Sequence, residues 1–150
     1  MVSRPYRAPE IILGVRYDAR IDVWAMAAVL FELSEGSVLF HADSNERLLA
    51  RIAGICGPVP RWMIDQGRLS EQMFRGDVLF ESRPPVDGDV ERVSVLYPRP
   101  CTLEMRVRRS NDAGFVAFLR QLLVVDMHER PTAKEALQLD WLHTPAATAD

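Results

Sequence analysis

Lysine is nearly absent from this chain: Lys134 is the only one among 18 basic residues, so almost all positive charge is guanidinium. That bias reflects genome composition and selects no function. Cysteine is scarce as well. Cys56 and Cys101 stand far apart, outside any C-x-x-C and without a histidine neighbour, which excludes a zinc knuckle or a disulfide framework and makes a reducing compartment the expectation. There is no long hydrophobic run. The longest, residues 23–33, contains Glu32 and falls short of the ~20 apolar residues that span a bilayer. No basic region followed by an apolar stretch opens the chain, so a signal peptide is not expected. Nor is there an excess of one charge: the formal net value of −3 gives no pull toward nucleic acid or an anionic membrane. An intracellular, soluble protein with no membrane and no direct nucleic-acid partner is the expectation.

What is present is an ordinary globular composition, 48% hydrophobic and 26% charged over 150 residues. That is one domain or part of one, long enough to bury a core. Residues 3–20, with Pro5, Pro9 and Gly14, read as an irregular loop. Residues 21–33 are apolar on every side, the pattern of a helix at the centre of a core, and Gly36 follows where such a helix can end. A second helix is predicted from Asp43 as N-cap with Glu46 in capping-box position, carrying Leu48, Leu49, Ile52 and Ile55 and ending at Gly54 and Gly57. A stretch rich in Pro, Gly and charge then runs over about 57–110, long enough to be a functional insert, with a weak strand signal at 90–96. Helical spacing returns over 115–123, and Thr132-Ala133-Lys134-Glu135 is a capping box for a short helix through Leu139. The tail after Thr144 is small and polar, and 145–150 read as frayed. No internal repeat is visible. The prediction is a mostly α unit over 1–144 with one long loop-rich insert.

Three blocks carry a family resemblance. Ser3-Arg4-Pro5-Tyr6-Arg7-Ala8-Pro9-Glu10 resembles the end of a protein-kinase activation segment, closing on the A-P-E element. Asp18-Ala19-Arg20-Ile21-Asp22-Val23-Trp24 is similar to the D-x-W element that opens the central helix of the kinase C-lobe. Leu122-Leu123-Val124-Val125-Asp126 with Arg130-Pro131-Thr132-Ala133 resembles the L-L-x-x-D-x-x-x-R-P-T-A before its last helix. In this order and spacing they identify the chain as similar to the C-lobe of a eukaryotic serine/threonine protein kinase, over nearly its whole length.

The resemblance implies roles. Ser3, Arg4, Tyr6 and Arg7 would belong to the substrate-binding strip, Ser3 as the residue that meets the catalytic aspartate. Tyr6-Arg7 matches a pair typical of the CMGC group, whose arginine shapes the pocket after the phosphorylated residue; packing alone is the other reading for Tyr6. Glu10 would pair with Arg130, and Asp22 would brace the catalytic loop or, more simply, cap its own helix. Gly57-Pro58-Val59-Pro60-Arg61-Trp62-Met63-Ile64-Asp65-Gln66-Gly67 is similar to a stretch of the pre-mRNA-processing (splicing) kinases related to the DYRK family, and Phe74, Phe80 and residues 90–95 continue that likeness. Splicing factors as protein substrates and a nuclear location follow from that branch. Pro5 departs from the pattern where an aromatic is usual, and Ala25 and Ala27 replace Ser and Gly.

The phosphoryl-transfer groups of the family are a Gly-rich loop, a strand lysine with its helix glutamate, a catalytic-loop Asp and Asn, and a metal-binding D-F-G. None of these motifs occurs in the sequence, and His128-Glu129-Arg130 is not H-R-D. No residue here is assigned to catalysis, to ATP or to magnesium, which the full-length family uses, so the chain by itself is expected to be inactive. Met1 then reads as an internal methionine, with the N-terminal part of the kinase domain missing. The alternative is a non-catalytic interaction module descended from a kinase. Arg99, Arg106, Arg108 and Arg109 form a basic cluster that is either a solvated loop or a dock for acidic or phosphorylated partners or RNA.

Overall fold

The computed structural model describes residues 3–83, 90–110 and 112–144; Met1-Val2 and the tail at 145–150 lie outside the described residues. The central element is α2, Arg20–Glu35, ended by Gly36 at φ 71, a left-handed conformation that only glycine adopts without strain. Val23, Trp24, Ala27, Ala28 and Phe31 are buried along it. Trp24 stacks on Phe40 with ring centroids 5.5 Å apart. Around this axis pack α3, Asn45–Cys56, through Leu48, Leu49 and Ile52, and α6, Ala113–Leu122, through Phe115, Phe118 and Leu119.

Several boundaries differ from the sequence reading, each for a local reason. The loop predicted at 3–20 contains a 3-10 turn, Arg4–Tyr6, and a short helix α1, Pro9–Leu13. Both prolines sit in the first turn, where the amide they lack has no helical acceptor. The N-cap of α3 is Ser44, not Asp43: its hydroxyl accepts from Arg47 N at 3.2 Å. Glu46 therefore closes no box. Asp22 caps nothing either. The N-cap position of α2 is Ala19, and it is Asp18 whose carboxylate takes the Arg20 amide at 2.8 Å.

The stretch over 57–110 is far from structureless. It holds α4 (Arg61–Gln66), β1 (Phe74–Arg75), β2 (Val78–Arg83), β3 (Arg92–Val95) and α5 (Leu103–Arg106). The strands form one antiparallel sheet in the order β1-β2-β3, with Phe80 opposite Val95 and Glu81 opposite Ser94. Trp62 of α4 ties the insert back to the body, donating to Asp126 at 2.9 Å and stacking on His128. The capping box at Thr132 forms, with Glu135 reaching back to the Thr132 amide, but α7 covers only Ala133–Ala136 before the chain tightens into a 3-10 turn at Asp140–His143. Trp141 in that turn donates to Asp112, the N-cap of α6, and so fastens the end of the described chain to the core. The unit is mostly α, with a small sheet in the insert.

Candidate functional site

The strip at residues 3–10 is bound to three separate elements. Tyr6 Oη donates to Glu32 of α2 at 2.6 Å, and that bond raises the tyrosine pKa, since deprotonation would lose it and set two anions together. Arg7 Nη1 donates to Asn45, the first residue of α3, at 2.9 Å. Ser3 and Arg4 are exposed, with the Ser3 carbonyl accepting from the Tyr6 amide. The four residues of the strip thus divide: Tyr6 and Arg7 turn to the body, Ser3 and Arg4 face outward. Pro5, within the 3-10 turn, fits without loss of a bond.

Glu10 is fully buried and meets Arg130, which is 1% exposed. The contact is a two-pronged one, Nη1 to Oε1 at 2.6 Å and Nη2 to Oε2 at 3.0 Å. The remaining guanidinium hydrogens go to backbone carbonyls: Nε to Val124 at 2.9 Å, Nη1 to Arg20 at 3.2 Å and Nη2 to Val125 at 3.5 Å. All five donors of the fork are used, and the group lies 4.9 Å from the Trp24 ring centroid. A single side chain therefore joins the strip, the start of α2 and the segment before α7. Arg20 returns a bond to the Arg130 carbonyl at 2.8 Å.

Asp22, on the first turn of α2, is exposed. It begins a row with Met26, Val29 and Leu33, spaced by four, three and four residues and therefore on one helix face. Those three are 55%, 37% and 77% exposed. The helix that reads as buried on all sides is buried on most of its circumference, and bears one apolar stripe in the open.

Two buried carboxylates escaped the sequence reading. Glu35 stands in the last turn of α2, where the helix dipole disfavours an anion, so it requires donors from elsewhere. It finds the amides of Arg108 at 2.9 Å and Arg109 at 3.0 Å, and clasps the end of the insert to the central helix. Burial pushes its carboxyl up, but those amides outweigh burial and hold it below the usual range. Glu81 on β2 takes the Ser44 hydroxyl at 2.7 Å and Arg47 Nε at 3.1 Å, so one residue steadies the Ser44 cap of α3 and ties the sheet to that helix. Burial again opposes ionisation, and the Ser44 hydroxyl and Arg47 overcome it. The signal for Glu35 was its place at a helix end; Glu81 gave none, lying in a short, part-apolar strand.

Both groups have depressed folded pKa values. Their stabilisation is complete above the unfolded value, about 4.3, and is lost as pH falls through the lower folded one. Glu35→Gln is expected to lower the melting temperature most near neutral pH, with the gap from the parent closing below about pH 4. A gap as wide at about pH 3 as at about pH 7 would mean that ionisation of Glu35 contributes nothing.

Of the basic cluster read at 99–109, Arg106, Arg108 and Arg109 line one cavity of about 280 Å³ together with Glu35, and Arg99 stands apart from them. Arg106 reaches the carbonyls of Val38 and Leu39 and lies over Phe31, Arg108 bonds Met105, and Arg99 lies on another side, against α3. Among the described residues no three His, Cys, Asp or Glu side chains converge to hold a metal, and no helix is long and apolar enough to cross a membrane. Among the described residues the buried polar atoms without partners, Trp24 Nε1, Ser70 Oγ and Arg106 Nε, are on separate elements. Burial pushes the Cys56 thiol up to about 12, which disfavours its thiolate.

A helical body with its N-terminal strip clasped to the far end by a buried Glu–Arg pair is a partial protein-kinase-like domain. The protein kinase domain model matches residues 1–142, and the chain belongs to the protein kinase family. It is 32% identical over 140 residues to the probable serine/threonine-protein kinase dyrk2 of Dictyostelium discoideum, covering 93% of this chain and 15% of that protein. It is 34% identical over 142 residues to the human dual specificity tyrosine-phosphorylation-regulated kinase 4, covering 94% of this chain and 26% of the relative. The DYRK-family kinase pom1 of Schizosaccharomyces pombe shares 34% over 142 residues, 93% of this chain and 12% of its own length. The chain spans about a quarter or less of each of these relatives.

Proposed function

We propose that this chain is the substrate-side part of the C-lobe of a CMGC-group serine/threonine protein kinase, which transfers the γ-phosphate of ATP to Ser or Thr of protein substrates when joined to the rest of its domain. The observation that carries the reading is the open stripe Asp22, Met26, Val29 and Leu33 on α2. A row of large apolar side chains headed by a carboxylate on a core helix is what a further packed layer would cover, with Asp22 free to accept backbone amides from it. The small share of each relative that the chain spans supports the same view.

In that enzyme Glu10 and Arg130 hold the strip while Tyr6 and Arg7 fix its course across α2 and α3. Exposed Ser3 and Arg4 then meet the substrate peptide. The chain's own residues position and bind; proton and phosphoryl transfer belong to groups outside it. The resemblance of residues 57–67 to the splicing kinases makes splicing factors the substrates and the nucleus the location in this reading.

The test is to purify the endogenous polypeptide from its source cells, map its peptides by mass spectrometry and assay it for phosphotransfer from labelled ATP. Peptides with H-R-D and D-F-G upstream of Ser3 on one polypeptide, together with labelling of Ser or Thr, are expected. A mature N-terminus at Met1 with no phosphotransfer would overturn the proposal in favour of a non-catalytic interaction module.

A further inference from the structure

We infer that the groove between α3 and residues 95–101 is a docking site for an extended acidic peptide segment. The groove has a volume of about 590 Å³, and its walls are fixed at both ends by backbone hydrogen bonds. Leu96 N donates to Leu79 at 2.8 Å, and Cys101 N donates to Gly54 of α3 at 2.9 Å. Gly54 is what allows the close approach: a Cβ there would overlap the Arg99 carbonyl oxygen. Between these ties the wall needs no partner to hold its shape, and Tyr97 stands 79% exposed on it.

The lining combines an apolar floor, with Ala50, Ile55 and Leu96, and guanidinium groups from both sides, Arg47 and Arg51 from α3 and Arg99 from the facing segment. Asp43 is the one carboxylate in the lining, and Arg47 already faces it at 3.9 Å as well as Glu81 at 3.1 Å. Arg51 and Arg99 have no carboxylate partner among the described residues. A chain of net charge −3 therefore carries a local positive groove, and charge complementarity selects an acidic occupant.

The geometry favours a row of carboxylates over one phosphate. Phosphate recognition gains most where several guanidiniums converge on one point, and Arg47 is already engaged by Asp43 and Glu81. Arg47 and Arg51 are one helical turn apart, about 6 Å along the axis. Alternate residues of an extended strand are about 6.6 Å apart, so Asp or Glu at every second position keeps step with the helix. RNA is the poorer fit because Tyr97 and His41 are the aromatic rings among the described lining residues, and sequence-tolerant RNA binding relies on a run of successive stacking faces.

The groove opens beside the substrate strip. Residues 41–43 on its rim lead through Ser44 to Asn45, which accepts from Arg7 at 2.9 Å. A substrate docked here would extend toward the strip; that use rests on the kinase reading, while the binding itself does not.

The test is fluorescence anisotropy on the full 150-residue chain with a labelled dodecapeptide alternating Glu and Leu. Binding that weakens with salt is expected, with none for the counterpart carrying Gln in place of Glu. The double variant Arg51→Glu/Arg99→Glu is expected to lose about tenfold in affinity or more, since each exposed charge contributes a few-fold and reversal turns attraction into repulsion. Arg120→Glu, on α6 and outside the lining, should bind as the parent does. Equal melting temperatures of all variants establish that surface charge, not folding, is read. No binding of the Glu peptide, no loss in the double variant, or stronger binding of a singly phosphorylated peptide or a uridine dodecamer through Arg51 and Arg99 would each overturn the inference. No step of the assay uses ATP, so its failure leaves the kinase reading intact, and its success does not depend on that reading.

Discussion

Arg130→Ala is expected to destabilise the fold by about 3–5 kcal/mol, the range for removing one partner of a buried ion pair. At about 2–4 °C per kcal/mol for a chain of this size, the melting temperature should fall by about 6–20 °C. The size follows from what is stranded. Glu10 is fully buried, its carboxylate bonds are those to Arg130, and the carbonyls of Val124, Arg20 and Val125 lose their donor with the same substitution. Exposed pairs such as Arg61 with Asp65 and Asp77, more than half in solvent, are screened by water and contribute little. Arg61→Ala should therefore scarcely move the transition. The double replacement Glu10→Leu/Arg130→Met should cost less than Arg130→Ala, because no lone charge remains in the core. Equal melting temperatures for Arg130→Ala and the parent would remove the pair from any account of stability.

Trp24→Ala should be of similar size, about 3–5 kcal/mol for a large aromatic deleted from a core. Trp24 is 0% exposed, stacked on Phe40 and covered by the Arg130 guanidinium. Trp24→Phe makes the sharper comparison. The indole Nε1 is buried without a partner among the described residues, and an unsatisfied buried donor costs about 1–3 kcal/mol. Phenylalanine removes that donor and gives up part of the packing, so the two effects oppose each other and the loss should stay below about 2 kcal/mol. Chemical denaturation of the two variants decides it. If Phe is as damaging as Ala, the indole nitrogen is engaged after all.

The parts of the fold legible in the sequence are those governed by short-range chemistry. The apolar run of α2, the glycine that ends it and the Thr132 capping box depend on neighbours within a turn or two, and they appear where the pattern puts them. The α1 helix escaped because five residues carry no period and Pro9 reads as a breaker, although at the first helical position it is a starter. Ser44 and Asp43 are both good caps, and the choice fell to Glu81, a strand residue 37 positions away that binds the Ser44 hydroxyl. The insert was hardest. Its sheet has strands of two, six and four residues, too short for alternation to be counted, and its anchors, Trp62 to Asp126 and Glu35 to the 108–109 amides, are long-range. Of the strip, family likeness suggested which residues matter, while the direction each side chain takes depends on α2 and α3 and could not be read locally.

The Glu10–Arg130 clasp also bears on how the chain is made. Its partners are 120 residues apart in sequence, so at about 5–20 residues per second some 6 to 24 seconds separate their synthesis. Until Arg130 emerges, Glu10 has no buried partner to enter the core with, and the strip ahead of α2 cannot settle. A contact of such long sequence separation also makes loop closure costly before it is rewarded, which slows folding. The strip at residues 3–10 is thus synthesised early and ordered late, and the nascent chain is most open to chaperones and proteases at that edge.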